Sequence, residues 1–178
     1  MESEIRLQPV SEVPHLASGP LEWSLKLWGQ GKEEFSAQDW KDFYNKTLTS
    51  NYDKWDLNGF DQELLFLAIV SNYGIDEVVA SIAICDFDDF EELRKYKPWI
   101  AAFVVREDLR GTGVGTLVLE LVEQKARSYG IDQIYLWTEG EKPFYQKRGY
   151  KEVEQLIKLG RVIDVLSKNL TNFQSAIF

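Results

Sequence analysis

The most constraining feature of the sequence is a short apolar strand followed closely by a glycine-rich turn and a long amphipathic helix. The run Trp99–Val105 has the length and the content of β-branched and aromatic residues typical of a buried strand. Three glycines at alternate positions follow it: Gly111, Gly113 and Gly115. From Val114 to Tyr129 apolar residues recur every three or four positions, which predicts a helix with one buried face. The chain must therefore bring a strand end, a tight turn and a helix start together.

Such a turn is suited to bind an anion. The start of a helix presents backbone N–H groups without partners, and the helix dipole is positive there. Glycines let a ligand approach the backbone closely, and Arg110 at the entrance of the turn adds a guanidinium. We therefore expect a phosphate, most simply a pyrophosphate, at this turn. The alternative is that the glycines only shape a tight connection.

Two common nucleotide-binding motifs do not match the turn. A dinucleotide fingerprint requires a third glycine where this chain has Thr116. The phosphate loop of nucleoside triphosphatases requires a lysine after the glycines, and none follows here.

The remaining pattern predicts a mixed sheet with helices in a single domain, 1–178. A helical segment carrying Leu16 to Trp28 ends at Gly29 and Gly31, and Ser36 is a good N-cap for a helix reaching Thr49. A hairpin is expected to turn around Gly74. The other predicted strands and helix are Ile5–Val10, Glu63–Ser71, Val78–Cys85, Gln133–Thr138, Tyr150–Leu159 and Arg161–Leu170, with a short helix over Pro143–Lys147.

Composition excludes several functional classes. The net charge of −9 over 178 residues works against binding a nucleic acid backbone. The sole histidine, His15, and the sole cysteine, Cys85, provide no zinc ligand set, so we expect no metal. No apolar run is long enough to span a membrane, and the first residues do not resemble a signal peptide. We expect a cytoplasmic protein, with the nucleus as an alternative.

Two motifs together resemble one enzyme family. Arg110-Gly-Thr-Gly-Val-Gly115 is similar to the R/Q-x-x-G-x-G/A motif of the GNAT superfamily of acetyl-CoA-dependent N-acetyltransferases. Downstream, Pro143-Phe-Tyr-Gln-Lys-Arg-Gly-Tyr150 resembles the [P/A]-F-Y-x-x-x-G-[F/Y] segment of the same family. The resemblance is strong from Trp99 to Val153. It implies an α/β (α+β) fold with a mixed, mostly antiparallel sheet of six or seven strands flanked by helices and splayed at the acetyl-CoA site.

The resemblance also implies which residues contact acetyl-CoA. The strand carrying Phe103, Val104 and Val105 is expected to pair with the pantetheine arm. The pyrophosphate is expected on the backbone of the turn, with Arg110 assisting: Gly111, Thr112, Gly113, Val114, Gly115 and Thr116. Tyr145 lies where the family commonly places a tyrosine near the coenzyme sulfur, so its phenol is the predicted acid for the departing thiolate.

Other roles in the chemistry are less defined by the sequence. The N–H of Val105 or Val104 is a predicted donor to the oxyanion, because a splayed strand leaves amides unpaired. Glu139 is the first choice as base, directly or through water, against the alternative of a solvated loop carboxylate. His15 is a weaker choice, since it is far from both motifs. Cys85 lies outside both motifs, so we expect direct transfer without a covalent intermediate.

The sequence does not identify the acceptor, which is either a small primary amine or the N-terminus of a peptide or protein. An acidic run either forms a solvated loop or attracts a cationic acceptor: Asp86, Asp88, Asp89, Glu91 and Glu92. Four aromatic residues either line an acceptor pocket or belong to the core: Trp28, Trp40, Tyr52 and Trp55. The alternative function is a non-catalytic acyl-CoA sensor or scaffold, and the chain is expected to be a monomer or homodimer.

Overall fold

A computed structural model describes residues 4–29 and 35–171, and Gly31 of the predicted helix end lies outside them. Seven strands form one sheet in the order β1-β2-β3-β4-β5-β7-β6, and every neighbouring pair is antiparallel except β4 with β5. The strands are β1 Arg6–Pro9, β2 Glu63–Asn72, β3 Ile75–Cys85, β4 Trp99–Val105, β5 Gln133–Thr138, β6 Lys151–Lys158 and β7 Arg161–Asn169. The helices are α1 Ser18–Trp28, α2 Ala37–Thr47, α3 Val114–Ser128 and α4 Lys142–Gln146. The predicted fold class is confirmed.

Helices cover both faces of the sheet, which explains why β2 is a continuous apolar run. Alternate residues of a strand point to opposite faces. Leu64 and Phe66 share a core with α3, through Val118 among others. Leu65 lies on the other face with α2, including Trp40. A strand buried on both faces loses the alternation of apolar and polar residues that marks a half-exposed strand.

Two local predictions were right in kind and inexact at their ends. Ser36 caps α2 in a reciprocal hydrogen-bonded pair with Asp39, although the helix ends at Thr47. The β2–β3 hairpin turns at Tyr73 and Gly74, with φ values of 52° and 80°. However, β3 begins at Ile75 and not at Val78, because the ladder continues beyond the core into exposed residues.

The central irregularity of the sheet lies between β4 and β5. These two parallel strands pair only at Trp99 and Tyr135, and their later residues diverge. β4 also contains a bulge opposite β3, between the pairs Ser81–Val104 and Ala83–Ala101. The predicted splaying of the sheet is therefore present.

A buried polar cluster ties α3 to the far side of the sheet. Glu123 of α3 is 3% exposed. Its carboxylate accepts hydrogen bonds at 2.9 Å from the Tyr150 hydroxyl and at 2.9 Å from Lys168 Nζ. A buried charge needs such partners. The cluster holds the start of β6 and the end of β7 against the helix.

We expect Tyr150→Phe to lower the free energy of unfolding by about 1–3 kcal/mol, because buried Glu123 loses one donor. Urea denaturation measures the effect. Tyr73→Phe is the matched control, since Tyr73 is fully exposed at the hairpin tip. Equal stabilities of the two variants would show that the cluster does not contribute to folding.

Candidate active site

The divergence of β4 and β5 opens a cavity of about 490 Å³. One wall is β4 from Ile100 to Phe103, and the other is β5 with its following loop from Leu136 to Glu139. Trp28 at the end of α1 and Trp40 of α2 also line it. A volume of this size is typical of a small-molecule site.

The end of β4 presents backbone groups to the opening. The N–H of Arg106 bonds Val79 on β3 at 2.9 Å, so the next residue pair along the ladder, Val105 with Ala80, does not exchange hydrogen bonds. The N–H and C=O of Val105 therefore point away from β3. Its carbonyl accepts from Arg110 Nε at 3.1 Å. By the same alternation Val104 faces β3, so the geometry favours Val105 over Val104 as a donor to a ligand.

Ala102 lies in the bulge of β4 and lines the cavity. Its φ of 51° is in the left-handed region, which is uncommon for a residue with a Cβ. Such conformations persist where the surrounding structure imposes them, and they concentrate at functional sites. The bulge redirects the strand at the place where the cavity begins.

The glycine turn is open. Gly111 and Gly113 have φ values of 75° and 93°, and a Cβ built on either would meet nothing within 4 Å. No side chain caps the N-terminus of α3. A Cβ at Gly115, in contrast, would lie 3.6 Å from Val105, in ordinary contact with the end of β4. The start of α3 thus has no capping side chain, and the space beside Gly111 and Gly113 is open.

Arg148 adds a cation that the sequence motifs did not single out. Its guanidinium donates to the Thr116 hydroxyl at 2.6 and 3.0 Å and to the Phe144 carbonyl at 2.6 Å. It also stacks 3.7 Å from the centre of the Phe144 ring. A cation held against the positive end of a helix is unfavourable by itself, and a bound anion offsets that repulsion. The signal in the sequence was its position in the second motif, three residues after Tyr145.

Tyr145 lines the cavity from α4. Its hydroxyl makes no hydrogen bond to any residue that the structure describes, and its ring packs edge-on against Phe144 and Tyr150. Burial, with a contribution from Glu141, raises the pKa of the phenol to about 12, and Arg148 opposes this shift. The hydroxyl therefore keeps its proton throughout the neutral range.

Glu139 also lines the cavity, on the loop after β5. Its carboxylate lies 3.5 Å from Arg161 Nε and is about half exposed. The structure thus brings Glu139 and Tyr145 to one cavity, while the turn residues predicted to bind the coenzyme lie at the start of α3.

The aromatic residues and the histidine named as candidates from the sequence lie in different parts of the structure. Trp28 and Trp40 line the cavity. Trp55 is buried in the core beneath α3, and the Tyr52 hydroxyl bonds the Thr47 carbonyl within the fold, so neither belongs to the pocket. His15 is exposed in a 3₁₀ turn and is absent from the cavity lining.

The residues of the acidic run from Asp86 to Glu92 also lie in different surroundings. Asp88 and Asp89 line the cavity, whereas Glu91 and Glu92 are exposed to solvent. Asp86 accepts hydrogen bonds from Gln62. The run is thus a cavity wall in its middle part and a solvated turn at its end.

Comparison with known proteins decides the family. The family model of the Acetyltransferase (GNAT) family matches residues 32–150, about two thirds of the chain. The chain belongs to the GNAT acetyltransferase family. As a member it is an acyltransferase that uses acetyl-CoA.

Solved structures of low identity share the fold of this GNAT protein. An aminoglycoside 6'-N-acetyltransferase complexed with coenzyme A superposes with a TM-score of 0.64 at 16% identity, covering 93% of this chain and 97% of that one. A GNAT acetyltransferase from Elizabethkingia anophelis with acetyl-CoA bound gives 0.55 at 18%, covering 93% and 97%. The spermidine/spermine N-acetyltransferase SpeG from Vibrio cholerae gives 0.58 at 14%, covering 94% and 93%.

No helix among residues 4–29 and 35–171 is long and apolar enough to cross a membrane. The same residues contain no group of three or more His, Cys, Asp or Glu side chains arranged to hold a metal ion.

We expect Gly113→Asp to weaken acetyl-CoA binding at least about tenfold, because it places a carboxylate and a strained residue at the start of α3. Isothermal calorimetry measures the dissociation constant. Gly74→Asp is the matched control, since Gly74 has a similar φ of 80° at the distant hairpin tip. Wild-type affinity in Gly113→Asp would contradict a phosphate site at this turn.

Arg148→Gln is expected to weaken acetyl-CoA binding about tenfold by removing a charge-assisted donor from the start of α3. The same calorimetric titration tests it, with thermal unfolding to confirm that the variant is folded. Lys147→Gln removes the neighbouring exposed charge and should leave the affinity unchanged. Equal losses in both variants would indicate a general charge effect.

Proposed function

We propose that this GNAT protein transfers an acetyl group from acetyl-CoA to an amine by direct attack of the amine. The observation that carries the proposal is the opening between β4 and β5. At one end it meets the uncapped, glycine-lined start of α3. At the other it widens into a cavity lined by Tyr145 and by several carboxylates. An anionic coenzyme and a basic acceptor thus find complementary surroundings at opposite ends of one groove.

The turn is proposed to hold the pyrophosphate. The backbone from Gly111 to Thr116 supplies the donors, and Arg110 and Arg148 supply positive charge. The edge of β4 from Phe103 to Val105 is proposed to lie beside the pantetheine arm, since β5 has diverged from β4 there. The N–H of Val105 points to the open side and is available to a carbonyl oxygen along this edge.

The reaction forms a C–N bond and breaks the thioester C–S bond. The amine loses a proton, and the leaving thiolate gains one. We assign to Tyr145 the donation of a proton to the leaving thiolate. Its hydroxyl has no hydrogen-bonding partner among the described residues and stays protonated at neutral pH. A phenol held in this form donates a hydrogen bond to negative charge developing on sulfur.

Glu139 is the proposed acceptor of the proton from the amine. An alkyl ammonium has a pKa of about 10, so it needs a base or a water path before it can attack. Glu139 reaches both the cavity and solvent, which allows the proton to leave through water. Arg161 lies 3.5 Å from this carboxylate and lines the same cavity.

The environment of Cys85 supports transfer without a covalent intermediate, although this residue lines the cavity. Burial, with a smaller contribution from acidic neighbours, raises the pKa of its thiol well above the ordinary value. Since the thiolate is the nucleophile, a thiol in this environment is a poor acceptor of the acetyl group.

Tyr145→Phe is expected to lower kcat about 100-fold at saturating amine while changing the acetyl-CoA dissociation constant less than about threefold. Mass spectrometry of products from a pool of amines, aminoglycosides and peptides first identifies an accepted amine, and coenzyme A release then gives kcat. Tyr135→Phe is the control, because Tyr135 stacks on Tyr96 and does not line the cavity. Unchanged kcat in Tyr145→Phe would remove Tyr145 from the mechanism. Binding of acetyl-CoA without any acetylated product would favour a sensor.

A further inference from the structure

The acceptor end of the cavity collects acidic residues from three separate parts of the fold. Among the described lining residues, acidic side chains outnumber basic ones five to one, the single basic residue being Arg161. The acidic residues lie at the start of β2, after β3 and after β5: Glu63, Asp88, Asp89, Glu139 and Glu141. Residues so distant in sequence meet only because the sheet brings these strand ends together.

Two cations lie close to members of this acidic set. Arg161 lies 3.5 Å from Glu139, and Lys46 lies 3.4 Å from Glu63. Besides these two pairs, the described lining contains the carboxyl groups of Asp88 and Glu141. Burial raises the pKa of Asp88 well above its ordinary value, and the neighbouring Asp89 adds to this shift. The Trp137 indole opposes the shift, although its N–H forms no hydrogen bond of normal geometry. A positively charged ligand beside Asp88 would relieve this penalty.

Aromatic rings form much of the remaining surface. Trp28 and Trp40 stack with ring centres 5.2 Å apart, and both line the cavity together with Phe87. The ring of Phe87 already carries the Arg94 guanidinium 3.7 Å from its centre, which shows that a cation can sit on a ring beside this cavity. Flat rings between carboxylates suit an apolar carbon skeleton that carries positive charges.

One unpaired donor gives an independent indication that a ligand belongs here. Trp40 is 7% exposed, lines the cavity, and has an indole N–H without an acceptor among the described residues. A buried indole N–H usually finds a partner. A hydroxyl or a neutral amine of a bound molecule would provide one after a small shift of the ring.

We infer that the acceptor is a small polycationic amine, with at least two amino groups on one carbon skeleton. The inference rests on the proposed function and concerns its acceptor. Transfer converts one ammonium into a neutral amide and releases a proton, so a second ammonium remains to hold the molecule against the carboxylates. A linear polyamine and an aminated sugar share this chemistry, and both are of a size that a cavity of about 490 Å³ accepts.

The test compares acceptors that differ in charge. Initial rates of coenzyme A release are measured with putrescine, spermidine, kanamycin, butylamine and a peptide with a free N-terminus and acidic side chains. We expect kcat/KM for at least one polycation to exceed that for butylamine at least about tenfold. A higher rate with putrescine or spermidine indicates a linear acceptor, and a higher rate with kanamycin indicates an amino sugar.

Asp88→Asn then tests the assigned contact. It should reduce the ratio of kcat/KM between the preferred polycation and butylamine about tenfold, while the acetyl-CoA dissociation constant stays unchanged. Asp132→Asn removes the same charge at an exposed position outside the cavity lining and should leave the ratio unchanged. Thermal unfolding of both variants confirms that they are folded.

The outcomes separate this inference from the proposed function. Acetylation of butylamine or the acidic peptide as efficiently as the polycations would overturn the inference and leave the amine acetyltransferase intact. An unchanged ratio in Asp88→Asn would overturn it as well. If no amine is acetylated, spermidine and kanamycin are titrated into the complex of the protein with coenzyme A. Binding that weakens in Asp88→Asn supports a polycation site, and absence of binding overturns the inference.

Discussion

The separation of β4 from β5 is the constraint on which the rest of the site depends. Two neighbouring parallel strands that pair at Trp99 and Tyr135 and then diverge give up ladder hydrogen bonds along both inner edges. The backbone groups left there must be satisfied by other partners. Arg110 satisfies the carbonyl of Val105, and a ligand lying along the edge would satisfy further groups. Away from the opening, the cluster of Glu123, Tyr150 and Lys168 fastens the strand pair β6–β7 to α3.

Opposite electrostatic conditions at the two ends of the groove give it a direction. The start of α3 is positive through its dipole and through Arg148, which Thr116 and Phe144 hold in place. The cavity at the other end has five acidic residues and one basic residue among its described lining residues. Under the proposed function, the anionic coenzyme would lie at the first end and a basic acceptor at the second, with the thioester between them.

Tyr145 lies where these two environments meet. Glu141 raises the pKa of its phenol and Arg148 lowers it, while burial has the largest effect. The hydroxyl is therefore neutral, partly enclosed and free to donate to a ligand. Its ring is held by edge contacts with Phe144 and Tyr150, so the same short motif contains the proposed acid, its packing partners and the neighbouring cation.

The sequence by itself determined most of the elements and the open glycine turn. Their signals are local: the spacing of apolar residues from Val114 to Tyr129, the glycines before it, and the hairpin turn at Gly74. Arg110 was predicted from its place at the entrance of the glycine turn, and Tyr145 from the resemblance of the second motif to the GNAT family. Strand ends were less exact, as at Ile75, because pairing can continue through polar residues once a ladder has formed.

Only the tertiary structure decided which residues line the cavity. Trp40 and Trp55 are indistinguishable as aromatic residues in the sequence, yet one lines the cavity and the other lies in the core. Asp88 and Glu141 are separated by more than fifty residues, and both line the cavity because the sheet brings the segments after β3 and β5 together. The position of Arg148 against Thr116 likewise requires α4 to pack on α3. Local patterns record periodicity and turn chemistry, whereas the meeting of distant side chains depends on strand order and on the place where the sheet opens.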